Sequence, residues 1–296
     1  MNAELTFQTH RPRLLALAYR LLGDRADAED VVQDAWLRWA GADQADIRDP
    51  LAWLITATTR LGLDRLRAVK RERQHYPGPW LPSPMSVEEL APDPAHVHGQ
   101  SEAVSLAFLT LLEQLSADER AAFVLKEAFD IDYPQIAQLL GHNQANCRQL
   151  VHRARQRLQA GRPRFSADRQ QHQQLLTRFM EASQRGDRAA LQSLLHANAR
   201  HLSDGGGVVT ASIRPLCGAE RIARLYWAIA RRGAAAPARL GRVNGEPAIV
   251  RGVGNQLQSV TTIEVQDGRI IGIYSVLNPH KLPGLVTGGG AGTSLK

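Results

Sequence analysis

A proline-rich stretch near residue 80 is the feature that most constrains the fold of this 296-residue chain. Residues 77–94 read PGPWLPSPMSVEELAPDP, and proline lacks a backbone N–H donor and disfavours helix. Amphipathic helical patterns with few breakers lie before it, at 10–73, and after it, at about 101–160. We therefore expect two helical domains joined by a linker.

The chain changes character after GRPRF at residues 161–165. Helical patterns at about 172–185, 189–196 and 219–231 accompany short apolar segments. The candidate strands are 199–203, 208–212, 239–243, 247–251, 257–266 and 269–276. Asn244-Gly245 and Asp267-Gly268 separate such segments and favour hairpin turns. We predict an α+β domain in which helices cover one curved antiparallel sheet, and a flexible tail at 286–296.

Length and composition argue against several classes of protein. No run of 18 apolar residues exists, which argues against a membrane-spanning helix, and the start MNAELTFQTHRPR lacks the apolar stretch of a signal peptide. The two cysteines, Cys147 and Cys217, lack metal or redox spacing and fit a reducing compartment. We expect a cytoplasmic protein with no metal site, no cofactor and no membrane partner.

The second helical block carries the signals of a helix-turn-helix. Ser116 and Glu119 have capping-box spacing, and Asp132 followed by Pro134 predicts the start of the next helix. Gly141 supplies the left-handed residue that ends this helix, and a longer helix is predicted from about Gln144. A short helix, a glycine-containing turn and a longer helix form the plan of a helix-turn-helix.

The longer helix divides its residues between two faces. Cys147, Leu150, Val151, Ala154 and Leu158 recur at the spacing of a buried stripe. Arginine can bond bidentately to guanine and glutamine to adenine, so the polar side suits the DNA major groove. Six arginines and no acid lie between residues 148 and 164, and they could hold phosphates. A solvated basic helix in a bundle is the alternative.

The first block contains an acidic helix followed by a basic one. Asp24, Asp27 and Asp30 lie near the predicted start of a helix at about 23–40, where carboxylates suit the helix dipole. Its acidic face is either solvated or docks a basic protein partner. The second helix, at 49–73, carries six basic and two acidic residues from Arg60 onward. Trp53 beside hydroxyls and arginines could stack on unpaired bases, or it is a core aromatic.

These residues resemble the bacterial extracytoplasmic-function (ECF) sigma factors over about residues 5–160. The resemblance rests on LLGDRADAEDVVQDAWLRW, DPLAWLITATTRLGLDRLR, the proline-rich linker and the helix-turn-helix, in this order. It implies a promoter-specificity subunit of RNA polymerase, with sigma region 2 at 1–75, a linker at 76–104 and sigma region 4 at 105–162.

The resemblance also assigns site residues and partners. The partners are core RNA polymerase, through its β′ and β subunits, and promoter DNA. The residues expected to bind core polymerase are Asp30, Gln33, Asp34 and Leu37. Those expected at the −10 element are Trp53, Thr56, Arg60, Asp64, Arg65, Arg67 and Arg71. Those expected at the −35 element are Gln144, Arg148, Gln149, His152, Arg153 and Arg155.

The C-terminal region, 168–285, resembles the SnoaL-like domain, a cone-shaped α+β fold related to nuclear transport factor 2. Sigma factors with this extension form their own groups, including the SigJ-type group. The matching signatures are WLPSP (80–84), with Ser83 for the usual Glu, DGGGV (204–208), which lacks the following Lys, and NPHKL (278–282), with His280 for Asp. The resemblance implies a domain that modulates sigma activity in cis, through an interface of Trp80, Leu81, Pro82, Asp204, Gly205, Gly206, Gly207, Asn278, Pro279 and Lys281.

We expect no catalytic residues and no enzyme, but two other interpretations stay open. One is a ligand-responsive helix-turn-helix regulator that acts without polymerase. The other is a SnoaL-like enzyme fused to a DNA-binding module, in which Asp204 or His201 would act as acid or base. Against this, Asp204 precedes glycines that favour a turn. A small-molecule ligand in the cone is also left open.

Overall fold

The computed structural model describes residues 3–86, 104–161, 168–233, 236–253 and 256–283. The chain divides into two compact units. The first contains residues up to 75 and most of 104–161, and the second contains 76–86, 105–107 and the residues from 168 onward. Most of the linker beyond residue 86, the GRPRF break and the predicted tail at 286–296 lie outside the described residues.

The first unit begins with three helices, α1 (Ala3–Leu22), α2 (Arg25–Ala40) and α3 (Pro50–Glu72), and a 3₁₀ turn at Arg73–His75. Asp24 and Asp49 cap the second and third helices through their side chains, each accepting a bond from the backbone N–H three residues on. Leucines of the first helix and Trp39 fill the core between them. The predicted acidic and basic helices are confirmed.

The remaining helices of this block are α4 (Leu106–Leu112), α5 (Ala117–Phe129), α6 (Tyr133–Leu140) and α7 (Gln144–Gly161). The Ser116 capping box is complete, and Asp132 caps α6. Gly141 ends α6 with φ +69°, a conformation that costs glycine little. The predicted helix-turn-helix is confirmed, including the buried stripe of α7.

The second unit consists of three helices and one sheet. The helices are α8 (Arg169–Arg185), α9 (Arg188–Leu194) and α10 (Ala219–Arg231), and a 3₁₀ turn lies at Pro279–Lys281. The strands are β1 (Leu195–Asp204), β2 (Leu216–Cys217), β3 (Ala238–Val243), β4 (Glu246–Val253), β5 (Gln256–Gln266) and β6 (Arg269–Val276). The sheet order is β2-β1-β6-β5-β4-β3, so the α+β class is confirmed.

Two details of the predicted sheet are wrong. The sheet is mixed, because β1 and β6 are parallel; α10 and the β3–β5 meander intervene, which gives the chain room to return in the same direction. Residues 208–212 form no strand but lie in a turn and the irregular segment after it. Gly206 and Gly207 have positive φ, and the N–H groups of Val208 and Val209 both bond to Gly205 O.

The two faces of this sheet are covered differently. The helices pack on one face, where Phe179 and Ile222 meet Ile263 and Ile273 in a shared apolar core. On the other face Leu81 of the linker packs with strand residues such as Val260 and Val276, together with Leu106. Leu81 and Leu106 therefore pack on the same face of this sheet. Within the described ranges, no helix is long and apolar enough to cross a membrane.

A buried histidine lies on the helix-covered face of the sheet. His201 Nε2 is 3.1 Å from Ser275 Oγ, which also bonds to Thr261 Oγ1 at 2.9 Å, and the Tyr226 ring lies 5.6 Å from the imidazole. Burial lowers the pKa of His201 from 6.5 to about 4, so the imidazole is neutral at pH 7. Folding then favours the unprotonated ring.

This arrangement predicts a loss of stability in acid. Since the unfolded chain binds the proton more tightly, His201 lowers the free energy of unfolding as pH falls from 6.5 towards 4, by about 2 kcal/mol at pH 5. A His201→Gln variant keeps a group that can bond to Ser275 but cannot titrate. Thermal unfolding at pH 7 and pH 5 should therefore show a smaller loss for His201→Gln than for the unaltered protein. Equal losses would contradict the assignment.

Candidate functional site

The acidic face of α2 is fully available to solvent. Asp30, Gln33, Asp34 and Leu37 are all exposed, and their spacing of three, four and seven residues places them on one stripe. Leu37 is 61% exposed, one of the most exposed large apolar side chains of the described chain. The stripe therefore combines two carboxylates with one exposed leucine.

The residues predicted for the −10 element do not share one environment. Arg60, Asp64, Arg67 and Arg71 are exposed, whereas Trp53 is half-buried with its ring 5.5 Å from that of Trp39. Thr56 Oγ1 donates to Ala52 O within the helix. Arg65 bonds to Asp27 at 2.7 Å and Glu72 at 3.1 Å, so in this structure it connects α2 and α3.

The six residues predicted for the −35 element are all exposed on α7. Asn143 starts this helix by accepting the N–H of Asn146 at 2.8 Å. Arg155 bonds to Glu127 at 2.5 Å and Arg153 lies 3.4 Å from Glu119, while the Arg148 guanidinium lies 5.3 Å from the Tyr133 ring centroid. Two acidic residues of α5 therefore hold Arg153 and Arg155, which are predicted to contact the −35 element.

Charged side chains join the two helical blocks inside the first unit, and sequence reasoning did not find them. Glu113 receives bonds from Arg73, at 2.6 Å, and from the fully buried Arg120. Arg120 also donates to Arg20 O. Burial alone would raise the pKa of Glu113, but the positive charges of Arg120 and Arg73 outweigh it and lower the pKa. The residues are far apart in sequence, so no local pattern could reveal the cluster.

One residue predicted for the −10 element also joins the two helical blocks. Arg67, on α3, bonds to Asp118 of α5 at 3.0 Å, and His142 bonds to the other oxygen of Asp118. A cation expected at the −10 element is thus paired with the block expected at the −35 element.

The second unit holds the linker through one buried carboxylate. Asp204 is fully buried and accepts bonds from Tyr76 OH at 2.6 Å, Leu81 N at 2.9 Å and Lys281 Nζ at 2.7 Å. Its backbone oxygen accepts the N–H groups of residues 277 and 278. We call the group Tyr76, Trp80, Leu81, Asp204, Asn278 and Lys281 the linker latch.

Lys281 completes the latch from the far end of the domain. Lys281 is 9% exposed. Its ammonium group also donates to Leu81 O at 2.5 Å and lies 4.0 Å from the Trp80 ring centroid. The aromatic face and the carboxylate both favour the charged form of the lysine. Asn278 Nδ2 adds a bond to Tyr76 OH at 3.0 Å.

The glycines of the DGGG motif allow Asn278 and Pro77 to approach the backbone closely. A Cβ on Gly206 would lie 2.4 Å from Asn278 Nδ2, and one on Gly207 would lie 2.8 Å from Pro77 Cγ. Both residues also have positive φ, which favours glycine. Gly205 and Pro82 are buried nearby, whereas Pro279 is exposed.

A second contact fixes the linker further along. Met85 N donates to Asn244 Oδ1, and Asn244 N donates to Met85 O, both at 2.9 Å. Met85 is fully buried. Asn244 therefore serves two purposes, since it also forms the β3–β4 turn with φ +54°; sequence reasoning found only the turn.

Two of the three departures from the motifs, at Val208 and His280, fall at exposed positions. His280, which replaces an acidic residue, is exposed, so it leaves no buried charge unpaired. Val208, where a lysine is usual, is 61% exposed. Ser83 is 2% exposed, and a small hydroxyl is easier to bury there than a carboxylate.

Comparisons with known proteins identify the family of this chain. The family model "Sigma-70 region 2" matches residues 6–72, and "Sigma-70, region 4" matches residues 105–158. The ECF RNA polymerase sigma factor SigJ of Mycobacterium tuberculosis is 36% identical over 94% of this chain and 92% of its own. This chain belongs to the ECF RNA polymerase sigma factors. It directs promoter-specific transcription initiation.

Further relatives extend the match across the whole sigma factor. A probable ECF sigma factor of the same species, SigI, is 34% identical over 93% of each chain. The crystal structure of the Mycobacterium tuberculosis SigJ superposes with a TM-score of 0.72 at 33% identity, covering 93% of this chain and 96% of that one. The match includes the C-terminal domain, so the predicted fold is confirmed over its three parts. The relatives are initiation factors and not enzymes.

Removing the latch lysine should release the linker. Lys281→Met leaves Asp204 buried without its counter-charge, a change that costs about 3 kcal/mol or more. Hydrogen exchange at the Leu81 amide, which donates to Asp204, should accelerate about 100-fold. His280→Asp, one residue away and exposed, is the matched control and should leave the exchange rate unchanged. Unaltered exchange in Lys281→Met would show that the ion pair does not hold the linker.

Proposed function

We propose that the C-terminal domain restrains this sigma factor in cis by holding the linker between regions 2 and 4. The observation that carries the proposal is the Asp204 carboxylate. Its Oδ1 accepts a bond from Tyr76 of the linker, and its Oδ2 accepts bonds from both Leu81 N of the linker and Lys281 Nζ. A tethered domain has a high effective concentration, so a modest interface suffices to hold the linker.

The length of the linker limits how far apart regions 2 and 4 can bind. Elements at −10 and −35 are about 25 base pairs apart, or roughly 85 Å along duplex DNA. Free residues 76–104 could extend to roughly 100 Å, whereas residues 87–104 alone could extend to only about 60 Å. Holding 76–86 on the sheet therefore shortens the tether with which regions 2 and 4 could separate.

Contacts between regions 2 and 4 within the first unit also support a restrained sigma factor. Regions 2 and 4 are joined by bonds from Arg73 to Glu113, from Arg120 to Arg20 O and from Arg67 to Asp118. This closed arrangement cannot span 85 Å of promoter, because α3 and α5 are in direct contact. Opening must precede simultaneous contact with both elements, and it would free Arg67 for DNA.

We assign the exposed surfaces as follows. The α2 stripe of Asp30, Gln33, Asp34 and Leu37 binds core polymerase. It contacts a basic surface of the β′ and β subunits. The exposed residues of α3, with Trp53 and Thr56, hold the −10 element as separated strands. The polar face of α7, including Gln144, Gln149 and His152, reads the −35 element in the major groove. The protein would act where the polymerase is, in the cytoplasm.

A catalytic role for Asp204 is disfavoured by its surroundings. The carboxylate is fully buried, and its oxygens already accept bonds from Tyr76, Leu81, Gly206 and Lys281. A general base needs a free lone pair within reach of a substrate proton. The residue acts as the anchor of the linker.

In vitro transcription with core polymerase tests the restraint. Asp204→Asn and Lys281→Met in the full-length chain should each raise transcript yield severalfold, because the linker is released. His280→Asp should match the unaltered protein. Equal yields from all four proteins, with an accelerated Leu81 exchange in the two latch variants, would refute the restraint while leaving the latch intact as a structural feature.

Reversing one charge tests the polymerase surface. Asp34→Arg should weaken binding to core polymerase by about tenfold or more, because it places like charges against a basic partner. Asp34 is exposed, so circular dichroism should show unchanged folding. Glu181→Arg, an equal charge change on exposed α8, is the control; equal losses in both variants would contradict the assignment.

A further inference from the structure

The positive charge of this chain is concentrated in its C-terminal domain. Residues 1–167, which include both sigma regions, contain 20 basic and 21 acidic residues. Residues 168–282 contain 15 basic and 8 acidic residues, a net charge of +7. The latch uses only one of these cations, Lys281, so the restraint of the linker does not explain the excess.

Four of these fifteen basic residues lie on helix α10 or at its end, and three of them share one face as a stripe. Arg221, Arg224, Arg231 and Arg232 are exposed, and the first three lie three and seven residues apart, which places them on one face of the helix. None of the four forms an ion pair with another described residue. The one acid of the helix, Glu220, bonds to Arg188 of α9 at 2.9 Å.

An exposed aromatic residue lies within this stripe. Trp227 is 38% exposed, and the Arg231 guanidinium lies 5.1 Å from its ring centroid. The backbone of Trp227 also lies close to Gly186 at the end of α8. Arg221 and Arg224 are three residues apart, and like charges at that spacing destabilise an isolated helix, so helix stability does not explain this pair.

We propose that the α10 face, defined by Arg221, Arg224, Trp227 and Arg231, is a second DNA-binding surface that contacts the phosphate backbone of the duplex. Arg221 and Arg231 are ten residues apart, roughly 15 Å along the helix, which matches two phosphate spacings of about 7 Å. Guanidinium groups bind phosphate oxygens bidentately, and the indole can lie against a sugar. The contact carries no base sequence.

DNA fits this surface better than an acidic protein for a reason given by the chain itself. Regions 2 and 4 bring the C-terminal domain to promoter DNA, so a further phosphate contact is intramolecular and strengthens binding through effective concentration. The surface is also separate from the latch. Helix α10 packs on the helix-covered face of the sheet, whereas the linker packs on the other face.

Salt dependence of DNA binding by the full-length chain tests this proposal. The probe is a fluorescently labelled 40-base-pair duplex without a promoter, measured by anisotropy between 50 and 200 mM salt. Arg224→Gln with Arg231→Gln should reduce the slope of log K against log salt by about 1.8, because two phosphate contacts are lost. The unaltered protein should then lose roughly tenfold more affinity over this range than the double variant.

The matched control removes two arginines at the opposite end of the sheet. Arg239 and Arg242 lie on β3, the edge strand, whereas α10 contacts β1 and β2. Arg239→Gln with Arg242→Gln should leave the slope close to that of the unaltered protein. Glutamine is a good helix former, so α10 should persist, and circular dichroism verifies this.

Two results would overturn the proposal. Equal slope changes in both double variants would indicate diffuse attraction to a basic domain, without a site. An unchanged slope together with weaker binding of core polymerase to the α10 variant would assign the surface to an acidic protein partner. Neither result would affect the latch, because transcription by the Lys281→Met variant is measured separately.

Discussion

The buried ion pair between Asp204 and Lys281 is the interaction on which the organisation of the C-terminal unit depends. Asp204 ends β1 and Lys281 follows β6, so the pair joins the carboxyl ends of two parallel strands. Charges this deeply buried are tolerated only when every remaining hydrogen-bonding position is filled. The linker supplies Tyr76 and Leu81 for that purpose. The domain is therefore complete only when the linker is in place.

The first unit uses charge in a similar way, but between its two helical blocks. Glu113 lies between Arg73 and Arg120, and the positive charges keep its carboxylate ionised despite burial. Such a cluster is specific, because a shifted arrangement would leave a buried charge unpaired. It is also compatible with opening, since each member is readily solvated once water enters. The cluster thus joins the two helical blocks through charged contacts.

Local signals and long-range contacts differ in how far the sequence reveals them. The caps at Ser116 and Asp132 and the glycine at 141 are short-range features, and the helix-turn-helix they predict is present. The Asn-Gly and Asp-Gly pairs likewise predict the two hairpin turns, where Asn244 and Asp267 have positive φ. The apolar residues at 208–212 predict a strand, whereas the glycines before them impose a turn. The parallel pairing of β1 with β6 depends on the return path of the chain, which no local pattern encodes.

The sequence by itself determined the helices, their caps, the exposed acidic and basic faces and, through its motifs, the family. These properties depend on residues within about one turn or one strand of each other. Only the tertiary structure decided that Asp204 holds a linker residue 123 positions earlier in the chain, and that Glu113 joins the helical blocks. A buried charge selects its partner by three-dimensional proximity, and proximity across such separations is set by the packing of the whole domain.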